Sequence, residues 1–295
     1  MTDTNILAPL QSLSSACVGL VAKVATAIVS VNSRRSRSSG FIWRPGLIVT
    51  AEEALTGEGE IAITLAGGKT LATQLVGRDP TTDIALLRME RSGPDPVLLT
   101  AASVSAGALA MAVGAEEGTP TAALGLVSRA AGPWRSLRGG EIDARIELGL
   151  RLRQSSEGGL AIDAAGQAIG MVVLGPRQRA LVIPTATIER VAAKLETHGR
   201  IGRGYLGLGL QAVAIEGGEG SGAMVMSVDP QGPAVKAGIH QGDILVSLNN
   251  EPIRHVQSLL RTLGPESIGQ KVTLGVRRAG EIHQFPLTIA ERPAA

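Results

Sequence analysis

The segment from Gln154 to Gly170 reads Gln-Ser-Ser-Glu-Gly-Gly-Leu-Ala-Ile-Asp-Ala-Ala-Gly-Gln-Ala-Ile-Gly, and it constrains the chain more than any other stretch. Gly158-Gly159 demands a tight turn, and Leu160-Ala161-Ile162 is an apolar run of strand length. Ala165-Gly166 marks a second turn, and another apolar run follows from Ala168. A chain built on such units is a mainly β protein of short strands. The 38 glycines suit many tight turns between them. Aromatic residues are only 2%, so the cores must be filled by Val, Ile, Leu and Ala.

The 295 residues leave room for two or three compact units. An apolar share of 44% with 18% charged residues is globular and not disordered. A net charge of +2 is too small to imply a nucleic-acid partner or a membrane surface. The single cysteine, Cys17, excludes an internal disulfide framework. Met1-Thr2-Asp3-Thr4-Asn5 carries no basic leader region, and the apolar run Cys17–Val31 is interrupted by Lys23 and shorter than a bilayer span. These features predict a soluble cytoplasmic protein with no membrane span.

In chain order, Ile6, Leu10, Leu13, Val18, Leu20, Val21 and Val24 predict a loosely amphipathic helix over 6–24, followed by a β-rich run from Ala25. Ser33–Gly40 is polar and basic. It is read as a solvated hairpin loop, because no aromatic residues interleave its arginines as an anion or nucleic-acid contact would require. Gly40–Thr50 reads as strand, Pro-Gly turn, strand, and Ile61–Val76 as a hairpin. Short strands separated by Gly, Ser and Pro clusters are expected from Pro96 to Ser128, then a variable loop over 129–142. An amphipathic helix is predicted from Thr185 to His198, with Ile188, Val191, Ala192 and Leu195 on its apolar face and Gly199 ending it.

Several of these motifs resemble one family. Ser155-Ser156-Glu157-Gly158-Gly159-Leu160-Ala161 resembles, without a gap, the Gly-Asn-Ser-Gly-Gly-Pro-Leu nucleophile segment of HtrA (DegP)-type trypsin-like serine proteases, with Glu157 at the serine position. Gly40–Thr50 is similar to the strands before the family's histidine, which places Glu53 at the histidine position. Gly77-Arg78-Asp79-Pro80-Thr81-Thr82-Asp83-Ile84-Ala85-Leu86-Leu87 matches the aspartate segment, with Asp83 at the triad aspartate. Tyr205-Leu206-Gly207-Leu208, Gly222–Val228, Gly232–Ile239 and Gly242–Leu245 follow a bacterial PDZ domain in order. The resemblance implies a chymotrypsin-like double six-stranded β-barrel followed by an α+β PDZ domain. It divides the chain into an N-terminal helical segment 1–24, barrels 25–187, a linking helix 188–202, the PDZ domain 203–291 and a tail 292–295. In the family an N-terminal segment often makes trimer contacts. The aromatic anchors for them are missing here, which leaves the oligomeric state open, membership of a larger complex included.

Serine-protease chemistry needs an imidazole between a carboxylate and a hydroxyl. The four histidines, His198, His240, His255 and His283, all fall at or beyond the end of the predicted linking helix. The expectation is therefore a pseudoprotease that is not an enzyme, working without cofactor or bound metal as a peptide-binding scaffold, adaptor or chaperone. The alternative is a remodelled carboxylate site at Glu53, Asp83 and Glu157. Three readings of those carboxylates stay open: relaxed side chains paired with Arg151 or Arg153, an oxygen-ligand cation site, and hydrolysis by a carboxylate pair. By resemblance, the loop Tyr205–Leu208 would hold a peptide's terminal carboxylate, supported by Arg203 and Arg261. Leu206, Leu208, Leu259 and Leu260 would form an apolar pocket. The implied partner is a protein or peptide with an apolar C-terminus.

Overall fold

The computed structural model describes residues 4–34, 36–56, 59–89, 93–98, 104–214 and 221–293. The expectations for Met1–Asp3, for Arg35 in the basic loop, for part of the 96–128 segment and for the last two tail residues lie outside them. The chain divides into two units, residues 1–136 with 141–200, and residues 137–140 with 201–295.

The first unit holds two closed six-stranded barrels. Barrel 1 comprises β1 (Ile28–Ser33), β2 (Ser36–Arg44), β3 (Leu47–Thr50), β4 (Ile61–Thr64), β5 (Thr70–Asp79) and β6 (Ile84–Met89), closed in the order β1-β2-β3-β6-β5-β4. Barrel 2 comprises β7 (Leu109–Glu116), β8 (Thr119–Ala131), β9 (Arg145–Leu148), β10 (Leu160–Asp163), β11 (Ala168–Gly175) and β12 (Arg179–Pro184), closed as β9-β12-β11-β10-β7-β8. Closure leaves no unpaired strand edge, which suits strands this short and apolar. Ile42, Ile48, Ile63 and Leu87 fill the first barrel, and Val127, Ile169, Val172 and Val182 the second. Each such buried aliphatic side chain contributes about 1.5–3 kcal/mol. With so few aromatics, the core depends on many aliphatic contacts of this size.

Two expectations need correction here. Ser38, Ser39 and Gly40 are not in a solvated loop; they are buried residues of β2, which pairs with β1 from Ser36 onward. Ser39 fits there because its hydroxyl finds partners across the barrel interface, as described below. The N-terminal helix α1 spans Thr4–Ala25 and is mostly exposed, with Leu10 and Val18 more than half open to solvent. Its window Ala8–Ala25 is long and apolar enough to cross a membrane by length and composition. The run counted from Cys17 missed this because it straddles the end of the helix and the start of β1.

Helix α2 (Thr185–His198) buries Ile188, Val191, Ala192 and Leu195, and ends at Gly199, whose left-handed backbone directs its N–H to the Leu195 carbonyl at 2.8 Å. Trp43 of β2 donates its indole N–H to Glu189 at 2.7 Å, tying α2 to the first barrel.

The second unit carries a sheet of β13 (Leu208–Ala214), β14 (Ser221–Val228), β15 (Ile244–Leu248), β16 (Lys271–Arg278) and β17 (Glu281–Thr288), in that spatial order. Two short helices, α3 (Pro233–Lys236) and α4 (Val256–Thr262), cover it. Asp243 is buried and bonded to Arg278 Nε at 2.8 Å and Nη2 at 2.7 Å; this fork holds its carboxyl below the usual range. Replacing Asp243 with Ala leaves the guanidinium its bond to the Gly238 carbonyl but removes the acceptor of its fork and of the His240 N–H. The expected loss is about 2 kcal/mol, read as an earlier urea midpoint for this unit.

Candidate functional site

The turn at 154–159 lies where the two barrels meet. Gln154–Ser156 form a 3₁₀ turn in which the Glu157 N–H donates to the Gln154 carbonyl at 3.1 Å. The Glu157 carbonyl accepts the Ser39 N–H at 2.8 Å, and the Ser39 hydroxyl donates to the Ser155 carbonyl at 2.7 Å. The same hydroxyl accepts the Ala115 N–H at 2.9 Å, while Thr50 Oγ1 donates to the Ser39 carbonyl at 2.7 Å. Ser39 is fully buried and thus links β2, β3, β7 and the turn in one network. Nothing in the sequence reading pointed to it. A serine flanking the barrel-entry Gly40, in a run otherwise rich in arginine, was the available signal.

Asp83 sits in the left-handed region, with φ at 58°. Its Oδ1 accepts the Glu53 N–H at 2.7 Å, and its carbonyl accepts the Glu52 N–H at 3.3 Å. Burial pushes the Asp83 carboxyl up to about 7, against the lowering effect of the Glu53 N–H, and Glu53, Glu157 and Glu52 add repulsion. The three resemblance-derived positions therefore do share one electrostatic neighbourhood. Burial also raises the Glu157 carboxyl, although its Oε1 accepts the Leu174 N–H at 3.1 Å. That bond turns the Glu157 side chain toward β11.

Arg151 and Arg153 do not pair with these carboxylates. Among the described residues they form no ion pair, and they line a cavity of about 270 Å³ with Thr121, Leu152 and Ser156. Among the described residues no group of three His, Cys, Asp or Glu residues is arranged to hold a metal ion. Chemically, the cluster offers one carboxyl, that of Asp83, which keeps its proton up to about pH 7, beside a second, that of Glu157, raised by burial. Neither a hydroxyl nor an imidazole stands at these three positions, and the N–H of residue 157 is spent inside its own turn.

In the second unit, Leu206 and Leu259 are core residues, 3% and 2% exposed, while Leu260 is 55% exposed. They do not form one pocket wall. Leu208, Leu210 and Val256 instead lie half-buried over the Leu206–Leu259 core, where α4 packs beside β13. Gly207 has φ at 77°, and a Cβ there would meet the Gly232 Cα at 2.9 Å, so only glycine passes this point unstrained. The Leu206 carbonyl accepts the Ala234 N–H at 3.0 Å, and the Gly207 carbonyl the Asp229 N–H at 2.8 Å. The Leu206 and Gly207 N–H groups donate to no acceptor among the described residues. Tyr205 Oη donates to Asp229 Oδ2 at 2.8 Å, further fixing the loop. Arg203 and Arg261 do not face it: they donate to the carbonyls of Arg138 (2.8 Å) and Leu137 (3.4 Å).

Comparison with known proteins matches residues 38–171 to a trypsin-like peptidase domain and 204–289 to a PDZ domain. A probable periplasmic serine endoprotease, DegP-like, of Bartonella henselae is 32% identical over 277 residues, covering 87% of this chain and 53% of that protein. The chain is an HtrA/DegP-type protein. A Pseudomonas fluorescens protein of the same description is 32% identical over 276 residues, covering 88% of this chain and 57% of its own length. The chain thus spans about half the length of the curated relatives it matches. The serine endoprotease structure from Yersinia pestis superposes with a TM-score of 0.68 at 27% identity, covering 93% of this chain and 97% of that one. The HtrA-type protease AlgW with a decapeptide shares the fold, with a TM-score of 0.69 at 22% identity and coverage of 94% and 99%.

These relatives correct two expectations. They are named serine endoproteases, which overturns the inference, drawn from Glu53, Glu157 and the positions of the four histidines, that the chain is no enzyme. They are also named periplasmic, which overturns the cytoplasmic assignment. That assignment rested on the missing basic leader and on an undercounted apolar helix.

Proposed function

We propose that this HtrA-type chain captures polypeptides by their C-termini in the groove between β13 and α4, and so serves as a protein-binding scaffold, adaptor or chaperone. The observation that carries this reading is the pair of undonated N–H groups at Leu206 and Gly207. Their loop is pinned through its carbonyls on the other side, so the donors are preorganised for a carboxylate. Among the described residues β13 pairs only with β14, leaving an edge to which an extended peptide can add. Leu208, Leu210 and Val256 supply the apolar surface for the last side chain of the ligand, so an apolar C-terminal residue is preferred. Tyr205, Leu206, Gly207 and Leu208 are the proposed carboxylate loop. Leu259 supports its floor, and Leu260 is left to solvent. The compartment proposed with it is the periplasm, on the names of the relatives.

The test is a fluorescence-anisotropy titration of the full chain with a peptide ending in Val or Leu, as the free acid and as the amide. The amide is expected to bind at least about tenfold more weakly, the equivalent of 1.4 kcal/mol. Equal binding of the two forms sinks the proposal.

A second reading, peptide hydrolysis at the carboxylate cluster, is favoured by the name of the relatives and by Asp83, whose carboxyl changes charge near neutrality. Turnover of casein or a fluorogenic peptide that is lost in Asp83→Asn supports it. Turnover unchanged by that substitution and by Glu157→Ala counts against it.

A further inference from the structure

The outer face of barrel 2 carries a second charged constellation, separate from the carboxylate cluster. Glu147 of β9 lies between β8 and β12, opposite Arg129 on one side and Leu181 on the other. Arg145 is two residues before Glu147 on the same strand, hence on the same face, and Arg179 precedes Leu181 by two on β12. Three adjacent strands thus each aim one arginine at a single carboxylate.

Arg145 Nε donates to Glu147 Oε1 at 2.8 Å, Arg179 Nη1 reaches Oε2 at 3.4 Å, and Arg129 Nη1 stands 3.6 Å from Oε1. The Glu147 side chain is only 10% exposed, whereas those of Arg129 and Arg179 are 54% and 55% exposed. One guanidinium is enough to neutralise a buried carboxylate. Arg145 does so at the shortest distance, held against the Trp134 ring with its guanidinium carbon 5.1 Å from the ring centre. Arg129 and Arg179 are then surplus cations. Among the described residues they contact no other acid, and a guanidinium has five N–H donors, more than this one contact uses on these half-exposed side chains. The buried carboxylate restrains all three forks, which lowers the ordering cost of receiving another oxyanion.

We propose that this face binds an acidic polypeptide segment, with the carboxylates of the partner bridging Arg129 and Arg179 above Glu147. The charge is confined to one cluster and is not drawn out into a stripe. On the same strand as Arg129, Leu126 is nearly half exposed and offers apolar contact. Such a pairing fits a short amphipathic acidic peptide better than a nucleic-acid backbone, which requires an extended basic track.

The experiment uses the full chain and a labelled Asp/Glu-rich peptide with an amidated C-terminus, so that the groove of the second unit is not engaged. A neutral Asn/Gln counterpart is the control. Saturable binding of the acidic peptide, at least tenfold tighter than the control and falling with added salt, is expected. The R129A/R179A double variant leaves Arg145 on Glu147, and its folding is checked by circular dichroism. It should lose at least tenfold in affinity. Equal binding of the two peptides, or an unchanged affinity in a folded double variant, overturns the proposal. So does competition of equal strength by inorganic phosphate or by vesicles of anionic lipid, since either shows a general oxyanion surface.

Discussion

Replacing Gly158 with Ala is expected to cost about 2–5 kcal/mol, a large share of the stability of a domain. Gly158 has φ at 82°, and a methyl group on it would run into the Ser39 carbonyl oxygen and lie 2.8 Å from both the Ala51 nitrogen and Thr50 Oγ1. The left-handed backbone by itself costs an alanine roughly 1–2 kcal/mol. The collision adds about 1–3 kcal/mol, because Ser39 cannot retreat without breaking its bonds to Glu157, Ser155, Ala115 and Thr50. Urea unfolding followed by far-ultraviolet circular dichroism measures the loss. A variant within 0.5 kcal/mol of the parent, on the order of a surface substitution, would show that the turn moves aside freely.

That collision also explains how much of the molecule was legible beforehand. The register of the 154–170 segment could be read because Gly158-Gly159 and Gly166 fix it, and the two barrels were implied by its resemblance, with that of 40–50 and 77–87, to one family. The same turn depends on Ser39, which was read as solvated. Its partners are 76 and 116 residues away, and no local pattern distinguishes a buried, satisfied serine from a loop serine. Period and composition also cannot tell the floor of a groove from its wall. Leu206 and Leu259 have the right character for a pocket yet lie beneath it, whereas Leu210 and Val256 line it. Arg203 and Arg261 looked free to meet a ligand carboxylate, but they are spent on carbonyls 65 and 124 residues earlier in the chain. What was lost in each case is long-range pairing, which only the folded chain discloses.

The carboxylate cluster makes stability depend on pH in the direction opposite to most acidic groups. A salt-bridged aspartate strengthens the fold as pH rises through its range, because its native pKa is depressed. Asp83 is raised from 3.8 to about 7. Between these two values the native state holds a proton that the unfolded chain has released, so the unfolding free energy falls as pH rises from about 4 to 7. At about 1.4 kcal/mol per pH unit, the contribution of Asp83 amounts to roughly 4 kcal/mol lost by pH 8. Asp83→Asn removes the charge while keeping an oxygen for the Glu53 N–H, and asparagine tolerates the φ of 58° at this position. The variant is therefore expected to match the parent near pH 4, exceed its stability by about 4 kcal/mol at pH 8, and show a flatter profile between them. Chemical denaturation at three pH values decides this. A variant less stable than the parent at pH 8 would mean that the ionised carboxylate is held by partners strong enough to offset its burial. In that case the cluster would be built around a charge at Asp83, and its burial would not be the dominant effect.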